Sequence, residues 1–253
     1  MHVIKIGGGV IDDAAMMQQV LHACASLKAP FVLVHGGGRI ASDIASALNI
    51  PQTMVEGRRV TDAETLRIVT MTYAGLINKN IVAQLQALEV AALGVCGTDM
   101  DLLRAVRREH PTIDFGFVGD TITVDVSRLM QMSSLGISLV IAPITHDGKG
   151  QLLNTNADTV AAEVAKALAV QGKEHVLLTY LFDLPGVLRN TADPESVITN
   201  INLDQYDELV ADGTITTGML PKITMAIDAA RAGVRVRIQH AGDLGTNNGT
   251  LIQ

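Results

Sequence analysis

Val3-Ile4-Lys5-Ile6-Gly7-Gly8-Gly9 and Phe31-Val32-Leu33-Val34-His35-Gly36-Gly37-Gly38 decide how this chain is read. Each is an apolar run of strand length that empties into three glycines. Helical spacing follows both: Met17, Val20, Leu21 and Cys24 after the first, Ile40, Ile44 and Leu48 after the second. Both therefore read as strand, glycine turn, helix N-terminus. Glycine turns tightly and puts no Cβ in the way of a ligand. The unpaired N–H groups of the following helix then face an anion, favoured by the helix dipole. One such turn is common in α/β proteins. Two of them, with Lys5 just ahead of the first, point to a site for phosphates or carboxylates.

The rest of the chain alternates in the same way. Asp12 or Asp13 can cap the first long helix, and Pro51 closes the second. Residues 51–61 read as a short hairpin or flap with Glu56-Gly57 at its tip. A long helical pattern runs from Asp62 to about Leu88. Ile113, Phe115 and Phe117, then Ile122, Val124 and Val126, alternate at period two around Gly119-Asp120 and predict a hairpin there. Residues 139–142 and 176–178 are short buried-strand runs of the parallel-sheet kind, with a helix carrying Val160, Val164 and Leu168 between them. The pattern predicts a mostly parallel sheet with helices on both faces. Gln171-Gly172-Lys173-Glu174 is the expected seam between two lobes, 1–172 and 173–253.

Composition narrows the function classes. The 253 residues are 48% hydrophobic and 18% charged, so the chain can bury a large core. A net charge of −7 argues against nucleic-acid or membrane-surface partners. No apolar run approaches the roughly 20 residues that span a bilayer. The first strand starts at once, leaving no room for a signal or transit peptide, and a cytoplasmic location is expected. Cys24 and Cys96 are the only cysteines, with no CxxC, which argues against structural zinc or a disulfide framework. Trp is absent and aromatics are 3%, so the core is aliphatic.

Several polar groups are candidates for chemistry. Lys5 can snorkel from a strand end, but beside three glycines its ammonium is better aimed at an anion. Gly36 to Ala41 fits GxGxxA and so admits a dinucleotide reading, although Glu56, at the acid's usual distance, falls in the flap. His35 reads as a residue of a half-buried turn. Gly57-Arg58-Arg59-Val60-Thr61 offers two guanidiniums, one of them a good bidentate carboxylate clamp. Leu153-Asn154-Thr155-Asn156-Ala157-Asp158 crowds amides and a carboxylate ahead of a helix, with Asn156 or Asp158 as its cap. Thr216-Thr217-Gly218-Met219-Leu220-Pro221-Lys222 sets a cation at a helix start, against the dipole, as a bound phosphate would require. There is no P-loop motif.

In this order, Lys5-Ile6-Gly7-Gly8, His35 to Gly38, Gly57 to Thr61, Asn154 to Asp158 and Gly218 to Lys222 together resemble the amino acid kinase family, over essentially the whole chain. The G-x-R-V-T and N-x-N-A-D elements are the most specific parts of the match. The resemblance implies a three-layer αβα sandwich with a mostly parallel central sheet. It implies that lobe 1–172 binds an acylated glutamate and that lobe 173–253 binds ATP, with Mg²⁺ held mainly by the phosphates and no metal-ligating side chain. The reaction it implies is ATP-dependent phosphorylation of the side-chain carboxylate of N-acetyl-L-glutamate, in arginine biosynthesis. Carried over by position, Lys5, Lys222, Asp158 and Gly8 are catalytic, and Gly37, Gly38, Arg59 and Asn154 hold the substrate. Gly7, Asp183, Gly186, Thr216 and Gly218 fall to the nucleotide. The competing readings are a kinase for another acyl-glutamate such as N-succinyl-L-glutamate, a non-catalytic ligand sensor of the same fold, and a dinucleotide-binding oxidoreductase.

Three features depart from the family pattern or extend it. The usual Thr-Asp-x-x-Gly turn is replaced by Thr179-Tyr180-Leu181-Phe182-Asp183-Leu184-Pro185-Gly186. The helical stretch from Asp62 to Leu88 is apolar on more than one side, at Ile68, Val69, Met71, Leu76 and Ile77, which predicts a subunit interface. The resemblance places a two-fold contact on that helix. The chain also lacks the N-terminal helix that accompanies hexameric members, so a homodimer is expected.

Overall fold

The computed structural model describes the chain except for residues 56, 191, 204–205 and 207–219 and the side chains of residues 121 and 220–222. In chain order, β1 (His2–Ile6) leads into α1 (Gly8–Asp12) and α2 (Ala14–Ala25), and β2 (Phe31–His35) into α3 (Gly38–Ala47). The small hairpin β3 (Met54–Val55) and β4 (Arg58–Arg59) precedes one long helical rod. The rod consists of α4 (Ala63–Thr70), a π-helical segment (Met71–Ile77) and α5 (Asn78–Ala87). Next come β5 (Ala92–Cys96), β6 (Leu103–Arg107), β7 (Val118–Val124) and α6 (Val126–Ser134). They are followed by β8 (Ser138–Ala142), β9 (Ile144–His146), β10 (Leu152–Thr155) and α7 (Ala157–Val170). The chain continues through β11 (Leu177–Phe182), β12 (Asn200–Ile201), α8 (Leu220–Arg231), β13 (Arg235–His240) and β14 (Thr250–Ile252).

The main sheet has the order β12-β14-β13-β11-β1-β2-β8-β5. It is parallel from β13 to β5, and β14 pairs antiparallel with β13. Both faces are covered, as an all-apolar parallel strand requires. Period-two alternation sorts the side chains: Val3, Val32 and Ile141 pack into one apolar cluster with α7 and α8 residues. Ile4, Ile6, Leu33 and Val140 pack into the other with α2, α3 and the long rod. Lys5 is in phase with Val3 and therefore stands on the α7 face. The result is the three-layer αβα sandwich with a mostly parallel sheet that the sequence predicts. Among the described residues, no helix is long and apolar enough to cross a membrane.

Four local expectations are corrected. Thr179 to Phe182, read as part of the turn after a strand at 176–178, continue the parallel strand β11, which pairs on both sides through Leu181. Gly119-Asp120 is not a hairpin tip but lies inside β7, which pairs antiparallel with β6. The apparent strand at 113–117 owes its alternation to Phe115, a fully buried plug; its backbone makes an isolated bridge from Gly116 to Thr61, and the Phe117 carbonyl accepts from Asn154 N–H at the start of β7. His35 is completely buried rather than half-buried. Strands β6, β7, β9 and β10 close on themselves into a small second sheet that the sequence did not reveal. The rod at 62–88 is helical as expected, capped by Asp62, but its centre is π-helical.

Candidate active site

The ends of β1, β2 and β10 and the β3–β4 hairpin surround one cavity of about 220 Å³. Lys5, Gly8, Gly37, Gly38, Arg59, Asn154 and Asp158, all singled out from the sequence, line it together. Asn156 caps α7, accepting from the Asp158 and Thr159 N–H groups, and so presents Asp158 on the first helical turn. The buried Lys5 Nζ meets Asp158 Oδ1 at 2.6 Å. It also stands 5.6 Å above the Phe182 ring, which stacks on Tyr180. Removing either partner would leave the other's charge buried and unpaired.

Arg59 is held quite differently. Its Nη2 donates to the Gly38 carbonyl at 2.8 Å and to Ser42 Oγ at 2.9 Å, and its Nη1 donates to Gln52 Oε1. All three acceptors are neutral. Burial raises the Tyr73 phenol above its ordinary pKa, and the adjacent Arg59 guanidinium pulls it partly back. Asn154 Nδ2 donates to Thr61 Oγ1 at 3.0 Å, tying β10 to the exit of the hairpin. Next to Arg59, Arg58 approaches Asp120 Oδ1 at 3.6 Å, and Arg108 takes the other oxygen of the same carboxylate.

The predicted nucleotide-side residues are more scattered. Gly7 adjoins the pair: a Cβ there would lie 3.6 Å from Lys5 Nζ. The Asp183 carboxylate leans on the first glycine turn, 2.5 Å from where a Gly9 Cβ would sit. Gly186 packs on β14, where a Cβ would come 2.8 Å from Thr250 Oγ1. Neither Asp183 nor Gly186 lines the cavity. Thr216 and Gly218 lie outside the described residues, as does Glu56. Lys222 belongs to the first turn of α8, and its side chain is outside the described set.

Tyr73, Met54, Val118, Pro143 and Thr155 also line the cavity but were not anticipated as site residues. Tyr73 had no signal beyond its place in a helical pattern; it sits on the π-helical segment with its ring beside Gly37. Gln52 and Ser42, which brace Arg59, were missed as well. Ser42 lies one helical turn after Gly38, a spacing that could have marked it.

Glycine turns at the ends of two adjacent parallel strands, with a buried lysine–aspartate pair between them, describe a phosphoryl-transfer site on an α/β sandwich. Residues 1–240 match the amino acid kinase family, and the chain belongs to it. It is 49% identical over 252 residues to the acetylglutamate kinase of Bacteroides thetaiotaomicron, covering 99% of this chain and 97% of that protein. It is 50% identical over 235 residues to the acetylglutamate kinase of Cytophaga hutchinsonii, covering 92% and 88%. Among solved structures, smu.665 from Streptococcus mutans superposes with a TM-score of 0.79 at 28% identity, covering 100% of this chain and 98% of that one.

Proposed function

We propose that this chain transfers the γ-phosphoryl group of ATP to the side-chain carboxylate of N-acetyl-L-glutamate, forming the acyl phosphate. The observation that carries this reading is the single cavity with the Lys5–Asp158 pair on one side and Arg59 with Gly37 and Gly38 on the other. The nucleophile is a carboxylate, ionised at neutral pH with a reference pKa of about 4.3, so the reaction needs no general base. The remaining task is to bring anions together and to spread charge over the moving phosphoryl group. Lys5 and the Gly8 backbone meet that group, Asp158 orients Lys5, and Lys222 supplies the second cation. Arg59 takes the α-carboxylate of the substrate, with Gly37, Gly38 and Asn154 around it, which fixes orientation. Both similar acetylglutamate kinases support the choice of substrate.

ATP belongs to the side of Gly7, Asp183, Gly186, Thr216 and Gly218, and residues 173–253 form the nucleotide lobe in this reading. Among the described residues, no group of three or more His, Cys, Asp or Glu is placed to hold a metal. The carboxylates beside the first turn are Asp158, paired with Lys5, Asp12, paired with Arg39 at 2.8 Å, and Asp183. Such a donor set suits Mg²⁺ that stays on phosphate oxygens and water. When bound, Mg²⁺ neutralises phosphate charge. The rod at 62–88 keeps Met71 and Leu76 about half exposed, which supports a homodimer through it. The composition fits a cytoplasmic enzyme.

One observation favours a second acyl group. Among the described residues, Arg58 and Arg108 share a single carboxylate, Asp120, leaving a surplus positive charge among those residues where Arg58 lines the cavity. An N-succinyl group would bring the carboxylate that this surplus can take. Coupled ADP release with acetylglutamate, succinylglutamate and free glutamate ranks the readings. Turnover of either acylated substrate supports the kinase, and its absence with both, alongside retained ligand binding, would establish the sensor reading instead.

A further inference from the structure

His35 and Asn78 stand behind the second glycine turn, outside the cavity lining, and both are fully buried. His35 ends β2, and Asn78 opens α5 directly after the π-helical segment. Buried polar groups cost stability unless they are paired. Here the pairing has one polarity. Asn78 Nδ2 donates to the Val140 carbonyl at 2.9 Å and faces His35 Nε2 at 3.3 Å. Asn78 Oδ1 accepts from Lys79 Nζ at 3.1 Å, and the same ammonium donates to the Gly94 carbonyl at 2.8 Å. With both amide roles assigned, His35 Nε2 must accept, so the proton of the neutral ring sits on Nδ1. Nδ1 in turn donates to the Gly36 carbonyl at 2.9 Å. Burial keeps the imidazole neutral by pulling its pKa down to about 4.

The Gly36 carbonyl and the Gly37 N–H belong to one planar trans peptide, so fixing the first sends the second the opposite way. The neighbouring residue of the rod grips the same turn. A Cβ on Gly37, whose φ is +143°, would fall 2.1 Å from Ile77 Cδ1. Ile77 packs against Gly37 while Asn78, one residue on, orients Gly36 through His35. We propose that His35 and Asn78 are positioning residues for the acyl-glutamate: a hydrogen-bond chain of fixed direction, anchored at the end of the π-helical segment, that sets the Gly36–Gly37 peptide against the substrate. This rests on the reading in which Gly37 and Gly38 hold that substrate.

The chain makes a demand on the wild-type protein and another on its variants. Imidazole ¹⁵N spectra at neutral pH are expected to show His35 as the Nδ1–H tautomer, and an Nε2–H tautomer would overturn the relay without any substitution. His35→Leu removes both bonds, whereas the amide of His35→Asn can replace the Nδ1 donor. His35→Leu is expected to raise KM for the acyl-glutamate about tenfold or more with KM for ATP within about twofold. His35→Asn should recover most of that loss. Asn78→Asp, which puts an acceptor against Nε2, should raise the same KM and leave that for ATP unmoved. Equal KM in His35→Leu and His35→Asn, or a parallel rise for both substrates, would reduce the pair to packing. If His35→Leu fails to fold, the tautomer and Asn78→Asp still decide. Absence of ADP release by the wild type with every acyl-glutamate would instead refute the functional reading, while the tautomer measurement would still judge the relay.

Discussion

The two glycine turns begin level with one another, since Ile6 pairs with His35 across adjacent parallel strands, yet they are built on opposite principles. At the first, a Cβ on Gly8 would make only an ordinary contact, 3.9 Å from Asp12 Oδ2. Its cation, Lys5, leans on one carboxylate. At the second, the space over Gly37 is filled by Ile77, and the cation, Arg59, rests on three neutral acceptors. An ion-paired lysine can share its charge with a group that becomes more negative during the reaction. An arginine braced by neutral oxygens keeps its full charge for an anion already present in the ground state. In the proposed function, the first turn serves the transition state and the second serves substrate binding.

The largest effect should come from the first cation. Lys5→Ala is expected to lower kcat by about 10²–10³-fold while leaving KM for the acyl-glutamate within a few-fold. A loss confined to KM would erase the distinction between the turns. At the second turn the sharpest damage is to the backbone. Gly37→Ala should cost about 1–3 kcal/mol of stability, read by denaturant midpoint, because it combines a positive φ with a clash against Ile77. Wild-type stability there would mean that the turn is not clamped by the rod.

Arg59→Lys is expected to raise KM for the acyl-glutamate about tenfold, close to 1.4 kcal/mol, with KM for ATP unchanged. Steady-state kinetics with each substrate varied would show it. If Arg58→Lys is harmful and Arg59→Lys silent, the register across the hairpin is wrong. The smallest structural effect belongs to Gly8→Ala, which should leave stability within about 0.5 kcal/mol by thermal melt, because the added methyl makes only an ordinary contact with Asp12. Its kcat should nevertheless fall, and the combination of intact fold and slower turnover would sharpen the contrast with Gly37→Ala.

What could be read in the sequence follows the same division. The central strands β1, β2 and β8 announced themselves because they are buried on both faces and so are almost wholly apolar, whereas β11 was legible only at its start, since Thr179 and Tyr180 read as a turn. The cavity residues were legible because glycines, arginines and capping amides stood where strands end. Strand β6 escaped because only Leu103 and the small Ala105 face inward, while the apolar Val106 faces out in phase with Arg104 and blurs the pattern. The π-helical turn escaped because Tyr73 and Ile77 keep an i, i+4 spacing that an α-helix would also show. Tyr73 and the His35–Asn78 relay both depend on that turn, so neither could be foreseen as a neighbour of the second glycine run.

The central claim is that the cavity phosphorylates a carboxylate using Lys5 for the chemistry and Arg59 for the grip. Coupled ADP release by the wild type, Lys5→Ala and Arg59→Lys, with acyl-glutamate and ATP varied separately, tests it most directly. The expected result is acyl-glutamate-dependent ADP formation in the wild type, lost through kcat in Lys5→Ala and through acyl-glutamate KM in Arg59→Lys. ADP formation that ignores the acyl-glutamate, or a Lys5→Ala enzyme as fast as the wild type, would contradict it.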